Sequence, residues 1–260
     1  MLNIAITAGG TSENIDGVRK LTNVSTGNLG WHCLEAVLDY FETKKRTDFR
    51  VIYVLTETAY RKELSEKQKP FVEFISVTDA ESVYDAVDKL TKTVPIDYFI
   101  HSMAISDFTF TYAVSVYELA QEICSSLVHL GTDELTVIEL LENPMSRYNV
   151  NEKISSDDNI VMGLKRTKKV IPVIKQNNPN TFLVGFKLLK DVSEDELINV
   201  ANHLAEKNEC DMVFANEVSR IAERNHSGIL IKSGEIIARP VGKKQIAETI
   251  VREMIKGIES

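Results

Sequence analysis

Cysteine is scarce in this 260-residue sequence: Cys33, Cys124 and Cys210 stand far apart, with no CxxC or CxxH spacing. That scatter indicates neither a zinc site nor a disulfide framework, so no resident metal is expected and the thiols read as core residues of a reducing compartment. Positive charge is not in excess either. With 30 Lys and Arg against 38 Asp and Glu, the net charge is −8, which argues against a nucleic-acid partner because phosphate-backbone affinity comes from cations that displace counterions. No run approaches the roughly 18 apolar residues of a membrane span, and "MLNIAITAGG" carries no basic start. The expectation is a cytoplasmic protein without membrane contact, for which a nucleotide would be a small ligand. Repeats and low-complexity tracts are missing as well.

What is present is a core. At 43% hydrophobic residues the chain can bury one large domain, read as residues 1–260. "LNIAIT", "VIYVLT", "FVEFISV", "YFIHSMAI", "TFLVGF" and "DMVFAN" read as strands, several apolar on both faces as in a covered parallel sheet. Between them Leu34, Val37, Leu38 and Phe41, and again Leu197, Val200, Ala201 and Leu204, recur at helical spacing. "GILIKSGEIIARP" reads as a hairpin around Ser233-Gly234, followed by a closing helix carrying Ala247, Ile250, Val251, Met254 and Ile258. Residues 108–150 break the alternation and read as an inserted helix and strand that cover or dimerise. The expected fold is α/β, a Rossmann-like doubly wound and mostly parallel sheet with that insert and a C-terminal hairpin plus helix.

The carboxyl ends of such strands are where ligands sit, facing loops and helix starts. "IAITAGGTSENIDGVRKLTNVSTGNLG" places Gly9 and Gly10 at one such end and Ser25-Thr26-Gly27 just before the first helical stripe. Alone, this pattern reads either as a tight turn plus helix cap or as an anion cradle. The long polar segment between the two glycine clusters favours the second, since an unstructured loop of more than about 12 residues is usually functional. It would bring Arg19 and Asn23 toward one anion.

Those residues carry a resemblance. The segment from Ile6 to Gly30 is similar to the signature of phosphopantothenate–cysteine ligases, and "HSMAISDF", "NEKISSD", "LKRTKKVIPVIK", "LVGFK" and "DMVFANEV" follow in that family's order. The likeness is to the monofunctional bacterial type, as no flavin-binding domain precedes Met1. It implies an enzyme that activates 4′-phosphopantothenate with CTP, magnesium on the triphosphate, and couples it to L-cysteine, working as a homodimer. By the same resemblance Asn23 acts on the acyl-nucleotide and Arg19 takes an anionic group. Ala104 lies against the base, and Asp107 contacts the nucleotide. Lys153 belongs to a basic flap that has Ser155 and Ser156 where many members have further lysines. Lys168, Lys169, Val170 and Ile171 approach the base, Phe186 packs on the nucleotide, and His203 with Lys207 stand where two lysines face the triphosphate. Each has a plainer alternative, such as a loop-closing asparagine, an exposed ion pair, a surface lysine or a core aromatic.

Two other classes remain open. A nicotinamide-dependent oxidoreductase would use "TAGGT" and Glu57, but there is no GxGxxG, and the Tyr40/Lys44 pair falls in the first helix. A non-catalytic nucleotide-binding homologue is the other.

Overall fold

The computed structural model describes residues 1–130, 133–149, 154, 158–218 and 226–256, with the main chain alone for 127–130. Two compact units emerge: one of residues 1–11, 24–105 and 169–260, the other of 12–23 and 106–168.

The first unit holds β1 (Leu2–Ala8), α1 (Asn28–Thr43), β4 (Phe49–Thr56), β5 (Val72–Val77), α2 (Ala80–Thr93), β6 (Tyr98–His101), α5 (Ile171–Asn177), β9 (Phe182–Leu189), α6 (Glu194–Asn208), β10 (Met212–Glu217), β11 (Ile229–Lys232), β12 (Glu235–Ala238) and α7 (Lys243–Ile255). Its sheet runs β12-β11-β10-β9-β6-β1-β4-β5. The six strands from β5 to β10 are parallel, and β11 and β12 add an antiparallel edge. Numbered along the chain, the parallel strands stand in the order 3-2-1-4-5-6, the doubly wound arrangement whose ligand crevice opens beside the first strand. All six expected strands and the Ser233-Gly234 hairpin are present. Positive φ angles of 53° and 82° at those two residues are those of a primed hairpin turn.

Alternation along β1 explains why it is apolar throughout. Ile4, Ile6 and Ala8 pack with Trp31, Leu34, Val37, Leu38 and Phe41 of α1 and with Ile246 and Ile250 of α7. Ala5 points the other way, to Val83 and Val87 of α2 and Ile174 of α5. Asp79 starts α2 with a reciprocal cap, its carboxylate accepting from Ser82 N–H at 2.8 Å while its own N–H donates to Ser82 Oγ at 3.1 Å. On α7, Ala247, Ile250, Val251 and Met254 are buried as expected, and Ile258 lies outside the described residues.

The second unit contains β2 (Ser12–Asn14), β3 (Lys20–Thr22), β7 (Phe108–Ser115), α3 (Val116–Leu130), α4 (Glu134–Glu142) and β8 (Ile160–Arg166). It corrects two expectations. The segment between the glycine clusters is not a bare loop, since β2 and β3 pair antiparallel from Ser12↔Thr22 to Asn14↔Lys20. Strands of three residues are too short to show a period. The insert also outruns residues 108–150: β8 pairs antiparallel with β7, and the unit ends at Lys168. "IVMGLKR" hides this strand because Gly163 interrupts it and Lys165 and Arg166 close it, whereas β1, β4 and β10 announce themselves by two buried faces. Gly163 is required there, for a Cβ would stand 2.2 Å from Tyr112 Cε1. The Tyr112 ring covers the gap, and with Val114 and Leu119 it makes the unit's small core. Glu122 on α3 accepts from Met145 N–H at 2.8 Å and Ser146 N–H at 3.2 Å, tying down the chain after α4.

Candidate nucleotide and substrate site

In the first unit Gly9, Gly10, Gly27 and Ala104 meet where β1 and β6 end. Main-chain pairing continues past the sheet: Ala104 N–H donates to Gly9 O at 2.9 Å and Thr11 N–H to Ala104 O at 3.1 Å. Gly9 adopts φ 102°, and a Cβ there would fall 2.1 Å from Thr56 Oγ1. Gly27, at φ 68°, closes against it, its Cβ position being 3.0 Å from Gly9 N and 3.0 Å from Ala59 Cβ. Gly30 brings the helix down onto the strand, as its Cβ position is 2.5 Å from Ala8 Cβ and 2.9 Å from Ser102 Oγ. Only glycines allow this approach of strand, turn and helix.

The helix start is chemically open. No side chain caps α1. Ser25 Oγ and Thr26 Oγ1 lie at the limit of hydrogen bonding, 3.4 Å from Gly27 N and 3.5 Å from Asn28 N. First-turn N–H groups without internal partners suit an oxyanion, and the helix dipole favours it. Replacing Gly9 by alanine forces a side chain into Thr56 at an unfavourable φ and is expected to lower unfolding free energy by about 1–3 kcal/mol. A denaturant midpoint unchanged from wild type would contradict this packing.

On the face shared with α2 and α5, Val170 and Ile171 pack in one cluster with Met103 and Ile105, which flank Ala104. Val170 is buried at the start of α5, and Lys169 before it is exposed. Phe186 is half-buried on β9, its ring 5.7 Å from that of Phe214, so part of its face is committed to the core. His203 and Lys207 stand one turn apart on the exposed side of α6, with no described contact to the glycines. Tyr40 lies against Phe41 with Lys44 Nζ 5.8 Å from its ring, a packing role that removes the oxidoreductase signal.

In the second unit the hairpin is organised by Asp16, which the sequence reading passed over. Its carboxylate is buried and accepts from Val18 N–H at 2.9 Å, Arg19 N–H at 2.7 Å and Ile154 N–H at 3.3 Å. Those amides, Val18 foremost, hold it below the usual carboxylate range. Arg19 pairs with Asp16 at 3.5 Å and donates to Ile154 O at 3.1 Å. The guanidinium thus braces the hairpin onto the residue beside Lys153, while its fork of five donors leaves capacity for an anion. Lys153, Ser155 and Ser156 lie outside the described residues. Asn23, at the end of the hairpin, is half-buried and offers its side-chain amide without a hydrogen bond among the described residues. Asp107 is exposed and its carbonyl accepts from Thr167 N–H at 3.0 Å, which places it near Lys168. A cleft of about 610 Å³ opens beside the hairpin, lined among others by Asp16, Lys20 and Phe110.

Sequence reasoning also missed Thr7, His101 and Ser102. A histidine inside the otherwise apolar "YFIHSMAI" was the available signal. His101 Nδ1 lies 2.9 Å from Thr7 Oγ1, Met103 N–H reaches that oxygen at 3.3 Å, and Ser102 Oγ donates to Thr7 O at 2.7 Å. Burial depresses His101 to about 4, so the ring is neutral at physiological pH.

Glycines at the switch point of a 3-2-1-4-5-6 sheet, facing an uncapped helix start, define a Rossmann-like unit able to receive a nucleotide or another anion. The chain belongs to the family described as DNA/pantothenate metabolism flavoprotein C-terminal domain, which it matches over residues 1–117 and 145–258. The coenzyme A biosynthesis bifunctional protein CoaBC of Thermococcus kodakarensis is 27% identical over 257 residues, covering 97% of this chain. The chain spans about half the length of that relative, 51%. Among solved structures, the DNA/pantothenate metabolism flavoprotein from Streptococcus pneumoniae superposes with a TM-score of 0.77 at 30% identity, over 98% of both chains. A Cab2 mutant in complex with phosphopantothenate-cysteine shares the fold, with a TM-score of 0.67 at 14% identity over 99% of this chain and 86% of that one. Among the described residues no helix is long and apolar enough to cross a membrane.

Proposed function

We propose that this chain is a phosphopantothenate–cysteine ligase acting in coenzyme A biosynthesis. The observation that carries the reading is a family match running through both units, joined to an open helix start at the sheet's switch point. An S. pneumoniae neighbour matched over 98% of both chains and a neighbour solved with phosphopantothenate-cysteine support it.

An amine does not displace an unactivated carboxylate, so the reaction divides in two. The carboxylate oxygen of 4′-phosphopantothenate attacks the α-phosphorus of CTP, the bond to the β-phosphate breaks and pyrophosphate leaves. The amino group of L-cysteine then attacks the acyl carbon, the bond to the cytidylate oxygen breaks, CMP leaves and the amine loses its proton. Both steps gain most from positioning and from donors placed where negative charge develops. The side-chain amide of Asn23, without a hydrogen bond among the described residues, donates to the acyl oxygen. Gly9, Gly10, Ser25, Thr26 and Gly27, with Arg19, accept the anionic part of the substrate. Ala104, Asp107, Lys168, Lys169, Val170, Ile171 and Phe186 take the nucleotide, and Lys153, His203 and Lys207 its phosphates. Magnesium in this reading rides on the triphosphate; among the described residues no three His, Cys, Asp or Glu side chains gather as a metal site.

Homodimerisation and a cytoplasmic location belong to the same reading. Three free cysteines agree with the location. For the dimer, β7 and β8 form an isolated two-stranded ribbon that exposes Phe108, Met162 and Leu164, the kind of edge and apolar surface a second copy covers.

CTP rather than ATP is the expected co-substrate. At matched concentrations, cysteine-dependent pyrophosphate release should be faster with CTP. Equal or faster release with ATP would overturn the nucleotide assignment and leave the ligase class standing; release with neither would remove both.

A further inference from the structure

The carboxyl ends of β1 and β6 are joined by side chains as well as by main chain, and the proposed chemistry uses none of those side chains. Thr7 and His101 are register partners in the parallel pair. Thr7 is fully buried and His101 is 9% exposed. Thr7 Oγ1 accepts from Met103 N–H at 3.3 Å and shares a second hydrogen bond with His101 Nδ1 at 2.9 Å, in which a hydroxyl with two lone pairs and one proton can take either role. Ser102 completes the clasp by donating to Thr7 O at 2.7 Å, with its hydroxyl against the Gly30 approach of α1.

Location gives this clasp its meaning. Thr7 and His101 continue the face of Ala5 and Phe99, the face on which Met103, Ile105, Val170 and Ile171 gather. Two residues beyond Thr7 comes Gly9, whose carbonyl accepts from Ala104 N–H at 2.9 Å. Loss of the Thr7 hydroxyl would free the Met103 amide, loss of the imidazole would free the Thr7 hydroxyl, and either would let the Gly9–Gly10 turn and the Ala104 strand end slide relative to each other. A buried donor or acceptor left without its partner is costly, so the arrangement is held in one register.

We infer that His101 is a positioning residue: through the Thr7 hydroxyl it fixes the spacing between the Gly9–Gly10 turn and the Ala104 strand end on which the nucleotide base rests. The inference rests on the nucleotide-binding reading above.

The test compares Thr7→Val and His101→Leu, which remove one partner each, with Thr7→Ser and His101→Asn, which keep a hydroxyl and a hydrogen-bonding amide near the Nδ1 position. For the first pair KM for CTP should rise about tenfold, the effect of one lost buried hydrogen bond, while KM for cysteine stays at the wild-type value. The second pair should recover wild-type CTP KM. Combining Thr7→Val with His101→Leu should be no worse than Thr7→Val alone, because both break the Thr7–His101 bond and only Thr7→Val also removes the acceptor of Met103 N–H. Thr7→Val, which preserves the side chain's shape, is expected to fold even where His101→Leu does not, as cooperative urea unfolding would show. An unchanged CTP KM in folded Thr7→Val, or a fall in kcat tracking the folded fraction with every KM constant, would overturn the inference. Should wild type bind CTP without ligase turnover, the ligase reading fails, and a calorimetric CTP titration of the same variants still decides this one by the same tenfold criterion. Absence of CTP binding by wild type defeats both.

Discussion

Asn23→Ala is expected to lower cysteine-dependent product formation by roughly 10²–10³-fold while leaving CTP affinity and unfolding free energy near wild type. Removal of one preorganised donor to a developing oxyanion has that magnitude in other acyl-transfer sites. The structural half of the expectation comes from the hairpin. Its register is set by β2 pairing with β3 and by Asp16, whose carboxylate takes three main-chain N–H groups. Asn23 contributes its carbonyl to a 3.4 Å contact from Thr22 Oγ1, and truncating the side chain leaves that carbonyl in place. A loop-closing asparagine would instead lose stability on truncation. Denaturant unfolding and single-turnover product formation on one preparation separate these cases: a variant that is destabilised yet turns over normally would make Asn23 structural.

The second large effect concerns acid. His101 titrates near 6.5 when exposed and is depressed to about 4 by burial in the fold. Above pH 6.5 both folded and unfolded chains hold it neutral, so it contributes no slope. As pH falls below 6.5 the unfolded chain takes up the proton and the folded chain does not, so stability is lost from there down to about pH 4. Between pH 7 and pH 5 that loss is about 2 kcal/mol. His226, half-buried and also depressed, adds in the same direction. The strongly depressed carboxyl of Asp48, held near 2 by Arg46, begins to matter only below about pH 4 and stays outside this window. His101→Asn, which keeps a hydrogen-bonding group for Thr7 but cannot titrate, should flatten most of the slope in urea unfolding at the two pH values. An equal slope in wild type and variant would show that the imidazole is not neutral in the fold.

Much of the architecture was legible because parallel strands buried on both faces leave an unmistakable mark. "VIYVLT" became β4 with Val51 to Thr56 all buried, and the stripe from Leu34 to Phe41 became the buried side of α1. The second unit was read poorly for the opposite reason. β2 and β3 are three residues each, and β8 exposes Met162 and Leu164 on a two-stranded ribbon. Of the site, the glycines declared themselves because φ values of 102° and 68° leave other residues strained. Thr56 and Thr7 did not, since an isolated threonine at a strand end carries no pattern and matters only through what folds against it. Arg19 was recognised, but its bond to the carbonyl of Ile154 reaches a residue 135 positions away, which no local spacing reveals.

The central claim is the joining of 4′-phosphopantothenate to L-cysteine. Purified chain incubated with both substrates, magnesium and CTP should yield 4′-phosphopantothenoylcysteine, detected by mass, with one CMP and one pyrophosphate for each amide formed and no product when cysteine is omitted. CTP binding with no mass corresponding to the coupled product, in a protein shown to be folded by cooperative unfolding, would contradict the ligase account.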